Sequence, residues 1–223
     1  MKMKLIISKE QQPGVHTFVF EPSEPISWQP GQYMHYVLDH PNPDERGTER
    51  WFTIASPPYE KKIQITTRLA SEKGSSFKKA LMAMKLGDNI EADGPKGQFI
   101  LREGNYHHVL IAGGIGITPY HSMLAQLGHD GQPSNVDLLY ANNDDNFVFD
   151  DELAGWVAND PSLKIHKFVD KHIKAEDLEP YLSDNKSIYY LSGPRAMVES
   201  YESLLPELGV AKDMIMTDYF PGY

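Results

Sequence analysis

The 223-residue sequence contains no cysteine. That absence excludes disulfides, thiol catalysis and any iron–sulfur cluster held by cysteine thiolates of this chain. Positive charge is scarce as well. Lys and Arg number 21 against 31 Asp and Glu, giving a net charge of -10. Nucleic acid is therefore not an expected partner, because phosphate binding needs clustered cations. No stretch reaches the roughly 18 consecutive apolar residues of a membrane-spanning helix. Residues 1–10 lack the apolar core and small-residue cleavage site of a signal peptide. The expected location is cytoplasmic. No HExxH motif occurs, and the nine histidines are scattered apart from His107-His108, so no metal centre is expected.

What is present divides near residues 102–106. Before that point the pattern is of short strands. Ile63, Ile65, Thr67 and Leu69 alternate with more polar neighbours, as do Phe18 and Phe20. Period-two alternation fits antiparallel strands with one wet face. Turn signals are frequent, among them Gln29-Pro30-Gly31 and Gly94-Pro95-Lys96-Gly97. Many short strands between such turns suggest a barrel or sandwich. One helix interrupts, with Phe77, Ala80, Leu81 and Met84 at i, i+3, i+4 and i+7.

After about Gly104 continuous apolar runs appear at residues 109–112, 136–140 and 188–191, with a weaker candidate at 164–169. Helical patterns lie between them: Ile117, Tyr120, Leu124 and Leu127, then Leu153, Trp156 and Val157, then Val198, Tyr201 and Leu205. Such alternation means βαβ units and a parallel sheet covered on both faces. The expected architecture is an N-terminal domain over residues 1–103 and an α/β domain over 104–223.

Two segments carry chemistry. Gly113-Gly114-Ile115-Gly116-Ile117-Thr118-Pro119 follows an apolar run and opens a helix. Glycines let a phosphate reach the backbone, and the helix N-terminus offers free N–H groups to an anion. The plain alternative is a tight strand-to-helix turn. The GxGxxG fingerprint is not met, since Pro119 stands where its third glycine would be. No Lys-Ser or Lys-Thr follows, so the loop is not a nucleotide-hydrolysing P-loop. The second segment is Arg50-Trp51-Phe52-Thr53-Ile54-Ala55-Ser56. Alternation puts Trp51, Thr53 and Ala55 on one side, and Arg50, Phe52, Ile54 and Ser56 on the other. Arg50 suits a phosphate, and a planar ring can lie against the strand. The plain alternative is an amphipathic strand with core aromatics and a surface arginine. Gly74-Ser75-Ser76, ahead of the Phe77 helix, offers either a helix cap or a further anion cradle.

Together these pieces resemble the ferredoxin–NADP reductase superfamily over nearly the whole chain. Arg50-Trp51-Phe52-Thr53 resembles its Arg-x-aromatic-Ser/Thr flavin signature. Pro30-Gly31-Gln32-Tyr33 and Gly94-Pro95-Lys96-Gly97-Gln98-Phe99 resemble its barrel turns. Gly113 to Pro119 is similar to its Gly-Gly-x-Gly-x-Thr-Pro loop. Ser192-Gly193-Pro194 is similar to its Cys-Gly-Pro turn, with Ser for Cys. Tyr219-Phe220-Pro221-Gly222-Tyr223 resembles the aromatic tails of bacterial members.

The resemblance implies a six-stranded Greek-key β-barrel that binds flavin, followed by a Rossmann-like parallel domain that binds NAD(P)H. FAD is the commoner flavin in the family; some members use FMN. Arg50, Trp51, Phe52, Thr53, Ile54, Ala55, Thr67, Gly74, Ser75, Ser76 and Phe220 would form the flavin set. The family's Gly-x-x-Ser is not met at residues 74–76, which leaves the choice between Ser75 and Ser76 open. Gly113, Gly114, Gly116, Ile117, Thr118, Pro119, Asn142, Ser192, Gly193 and Pro194 would hold the dinucleotide. Thr53 and Ser192 would act at the reacting edge. Hydride transfer to a flavin needs orientation and no general base, in keeping with the absence of a catalytic triad. The segment Ala141-Asn142-Asn143-Asp144-Asp145 holds no cation for a 2′-phosphate, which favours NADH over NADPH unless Arg195 compensates. Electrons would leave for a separate acceptor: a ferredoxin, a flavodoxin, an oxygenase component, or a small molecule such as free flavin, ferric chelate or quinone; the alternative is a non-enzymatic nucleotide-binding regulatory module.

Overall fold

The computed structural model describes residues 1–69, 74–182 and 186–218. The first sheet uses β1 (Lys2–Gln12), β2 (Val15–Pro22), β3 (Tyr33–Val37), β4 (Glu49–Thr53), β5 (Ile63–Arg68) and β6 (Asn89–Lys96), with α1 (Ser76–Ala83) inserted before β6. Its order is β4-β3-β6-β1-β2-β5, and every pairing is antiparallel. The chain just past β4 returns to β5, where Ala55 N–H donates to the Gln64 carbonyl at 2.9 Å. That bond brings the two outer strands together as a barrel. Alternation explains the filling: Met3, Leu5, Phe18, Phe20, Met34, Tyr36, Ile63 and Ile65 are all buried in one core.

The second sheet is parallel. It uses β7 (His107–Gly113), β8 (Val136–Asn142), β9 (Leu163–Val169), β10 (Ser187–Ser192) and β11 (Ile215–Asp218), in the order β11-β10-β7-β8-β9. Between the strands run α2 (Thr118–His129), α3 (Asp150–Asn159), α4 (Ala175–Leu182) and α5 (Arg195–Glu207). The continuous apolar runs are explained by two cores. Leu110, Ala112, Leu138, Tyr140, Ile188 and Tyr190 face one, while Val109, Ile111, Leu139, Tyr189 and Leu191 face the other. The barrel-plus-parallel-sheet architecture read from the sequence is the one observed. The short strand β11 and the helix α4, which has Pro180 inside it, were not anticipated. Among the described residues no helix is long and apolar enough to cross a membrane.

Candidate functional site

The parallel strands all end on one side, and there the helices begin. A cleft of about 950 Å3 opens at those carboxyl ends and is closed on its other side by the barrel. From the parallel sheet it is lined by Gly113 to Gly116, Thr118, Asn142, Asn143, Asp170 to Ile173, Ser192 to Arg195 and Asp218. From the barrel come Trp51, Phe52, Thr53, Thr66, Thr67, Arg68 and Lys78. The glycine loop and the aromatic strand, about 60 residues apart in sequence, therefore share one cavity.

The glycine loop is built for close approach. Gly114 has a φ of +53°, in the left-handed region. A Cβ on Gly116 would lie 2.2 Å from the Ser192 carbonyl oxygen, so only glycine lets this turn pack on the turn after β10. Pro119 occupies the first turn of α2. Ile117 and Pro119 are buried beneath the loop and do not line the cleft. The side-chain amide of Asn142 donates to the Asp144 and Asn146 carbonyls and to the Asp144 carboxylate, which ties down the loop after β8.

On the barrel side, Thr53 ends β4 at the domain seam. Ile54 and Ala55 are fully buried and turn away from the cleft. Arg50 is buried too, not at the surface as in the plain reading. Its guanidinium donates to the carbonyl oxygens of Arg46, Gly47 and Glu49, reaches Asp44 at 3.4 Å, and lies 5.5 Å from the Phe77 ring centre. Ser75 is the N-cap of α1, accepting from Lys78 N–H at 3.3 Å. Ser76 N–H donates to the Asp44 carboxylate at 2.8 Å. That bond, with Arg46 beside it, holds the Asp44 carboxyl well below its ordinary range. Burial, followed by the Arg50 and Arg46 charges, lowers Lys78 to about 8. A half-buried lysine near two arginines is stabilised by an added anion. Phe220 and the rest of the aromatic tail lie outside the described residues.

The residue that sequence reasoning missed is Asp218. It ends β11, directly opposite Ser192 in the parallel register. The Ser192 Oγ and Thr53 Oγ1 hydroxyls both donate to its Oδ2 at 3.4 Å, long for such bonds. Burial pushes the carboxyl up to about 7, against the pull of those two hydroxyls. A protonatable acid thus joins the two hydroxyls singled out from the sequence. Arg195 also lines the cleft and is paired with Glu199 at 2.6 Å. Lys171 and His172 also line the cleft, and the sequence reading did not consider them. Among the described residues no cluster of His, Asp and Glu is arranged to hold a metal.

Comparison with known proteins bears on the same regions. Residues 110–203 match the family described as Oxidoreductase NAD-binding domain. The chain has the fold of the ferredoxin–NADP reductase-like oxidoreductases. It is 28% identical over 191 residues to the carnitine monooxygenase reductase subunit of Escherichia coli, covering 83% of this chain and 57% of that one. It is 32% identical over 181 residues to the phenoxybenzoate dioxygenase subunit beta of Ectopseudomonas oleovorans, covering 78% and 54%. The chain thus spans about half the length of the curated relatives it matches. In fold it is similar to the FAD/NAD-binding domain of nitric oxide dioxygenase from Vibrio cholerae, with a TM-score of 0.84, 22% identity and 98% of each chain covered.

Proposed function

We propose that this chain is an electron-transfer reductase that takes a hydride from NADH onto FAD and passes electrons to a separate carrier protein. The observation that carries this reading is the meeting of the glycine loop, Thr53 of the aromatic strand and the buried acid Asp218 around one cleft. Residues 1–103 form the flavin half and residues 104–223 the dinucleotide half. The cleft fits both groups: cations stand on the barrel side, and open backbone at the ends of parallel strands faces them. A bound flavin supplies the hydride acceptor and the capacity to release electrons singly.

The chain's own residues perform the rest. Arg50 and Lys78 balance the charge of the flavin phosphates, with the α1 cap region of Gly74, Ser75 and Ser76 beside them. Trp51, Phe52 and Thr67 wall the ring. Gly113, Gly114, Gly116 and Thr118 receive the dinucleotide pyrophosphate, and the Ser192-Gly193-Pro194 turn orients the nicotinamide. The Asp218 carboxyl, pushed up to about 7, exchanges a proton near neutrality beside the Thr53 hydroxyl. NADH is favoured over NADPH because the segment after β8 carries Asp144 and Asp145 with no cation, and Arg195 is engaged by Glu199.

The carrier protein is suggested by the two relatives, which are named as subunits of oxygenase systems. The test is reoxidation of the anaerobically reduced protein by a panel of acceptors. Fast reoxidation by ferredoxin or flavodoxin supports the reading. Turnover confined to free flavin, ferric chelate or quinone would replace the carrier protein with a small acceptor.

A further inference from the structure

The helix α2 is buried at every position from Thr118 to Ala125. A helix enclosed all round lies within a core, here between the parallel sheet and the barrel. Two of its side chains reach across to the barrel. His121 Nδ1 lies 2.7 Å from the Ala55 carbonyl oxygen. The Ser122 hydroxyl donates to the Ser56 carbonyl oxygen at 2.7 Å. A carbonyl only accepts, so the His121 proton sits on Nδ1. Burial lowers His121 to about 4, which keeps the ring neutral near pH 7. The ring stacks on Phe149 with centres 3.8 Å apart, and its Nε2 faces the Glu152 carboxylate at 3.8 Å.

The carbonyls that receive these bonds are fixed to the barrel. Ile54 N–H donates to the Gln32 carbonyl and Ala55 N–H to the Gln64 carbonyl, each at 2.9 Å. The Trp28 indole donates to the same Ser56 carbonyl at 3.1 Å. Position in the chain makes this junction consequential. Ala55 comes two residues after Thr53, and His121 three residues after Thr118. The junction therefore joins the end of the flavin strand to the start of the dinucleotide helix.

We propose that His121 and Ser122 are positioning residues that clasp the two halves of the cleft and set the distance between nicotinamide and flavin. The inference rests on the proposed function. Short-range transfer is steep in distance, so loosening the clasp slows chemistry more than it weakens binding.

The test uses the flavin-loaded protein and three variants. H121F keeps a ring on Phe149 but removes the donor, H121N places an amide donor near Nδ1, and S122A removes the second bond. The readouts are the long-wavelength charge-transfer absorbance on anaerobic mixing with NADH, the hydride-transfer rate, the NADH dissociation constant and Tm. For H121F the expected result is a weakened charge-transfer band and a rate about tenfold lower or more, with the dissociation constant within about twofold. H121N should recover the band and most of the rate. S122A should weaken both in the same direction, and it carries the test if H121F fails to fold. An unchanged band and rate in H121F, or equal loss in H121F and H121N, would overturn the clasp alone. A wild-type protein whose flavin NADH does not reduce would overturn the function, and the clasp's role in it as well.

Discussion

Replacing Asp218 with Asn changes one atom and removes one buried charge. In the unfolded chain this carboxyl ionises near 3.8, and in the folded protein at about 7. The folded state therefore holds the proton more tightly, the reverse of a salt-bridged aspartate. The resulting penalty is absent below about pH 4, grows as pH rises, and levels off above about pH 7. A difference of about three pH units corresponds to about 4 kcal/mol lost across that window. In a chain of this length that is a Tm difference of roughly 10 °C. Asn has the same shape, and the Ser192 and Thr53 hydroxyls can rotate to accept from its amide. D218N should thus be more stable than wild type by about 4 kcal/mol at pH 8 and by only about 1 kcal/mol at pH 4.5. Thermal unfolding followed by circular dichroism at half-unit steps from pH 4.5 to 8 measures the gap. Parallel curves with no widening toward high pH would refute the argument that Asp218 is a buried acid titrating near neutrality. The same variant should slow flavin reoxidation, because its amide cannot exchange a proton near neutrality as the Asp218 carboxyl does.

Other substitutions test the cleft wall by wall. S192A should slow hydride transfer in stopped flow while leaving flavin bound, and an unchanged rate would remove Ser192 from the reacting edge. G116A places a Cβ 2.2 Å from the Ser192 carbonyl oxygen. It should cost about 1–3 kcal/mol of stability, together with most NADH affinity, as read by denaturant unfolding and titration. R50M should weaken FAD by roughly tenfold to a hundredfold and leave riboflavin, which has no phosphate, unaffected. Equal loss of both would make Arg50 a support of the 44–49 loop only.

The parts of the fold that were legible are those with a strong local period. The runs at 109–112, 136–140 and 188–191 read as strands because residues facing both cores are apolar. The glycine loop was legible because its spacing has a backbone cause at Gly114 and Gly116. Asp218 was not, because β11 has four residues and only its pairing with β10 brings the acid to Ser192. Lys171 and His172 likewise reach the cleft through topology: they follow β9, a strand that reads weakly because most of it is solvent-exposed. His121 lies on a helix whose apolar pattern suggests plain core, and nothing local reveals the carbonyl it reaches 66 residues away. Which of Ser75 and Ser76 caps α1 was not legible either; Ser75 takes that place, accepting from Lys78 N–H.

The central claim is that one cleft brings NADH and a flavin together, and the visible absorption spectrum tests it most directly. The purified protein, or the protein supplied with FAD, should show flavin absorbance that bleaches on anaerobic addition of NADH. A protein that neither retains FAD nor oxidises NADH would contradict the account.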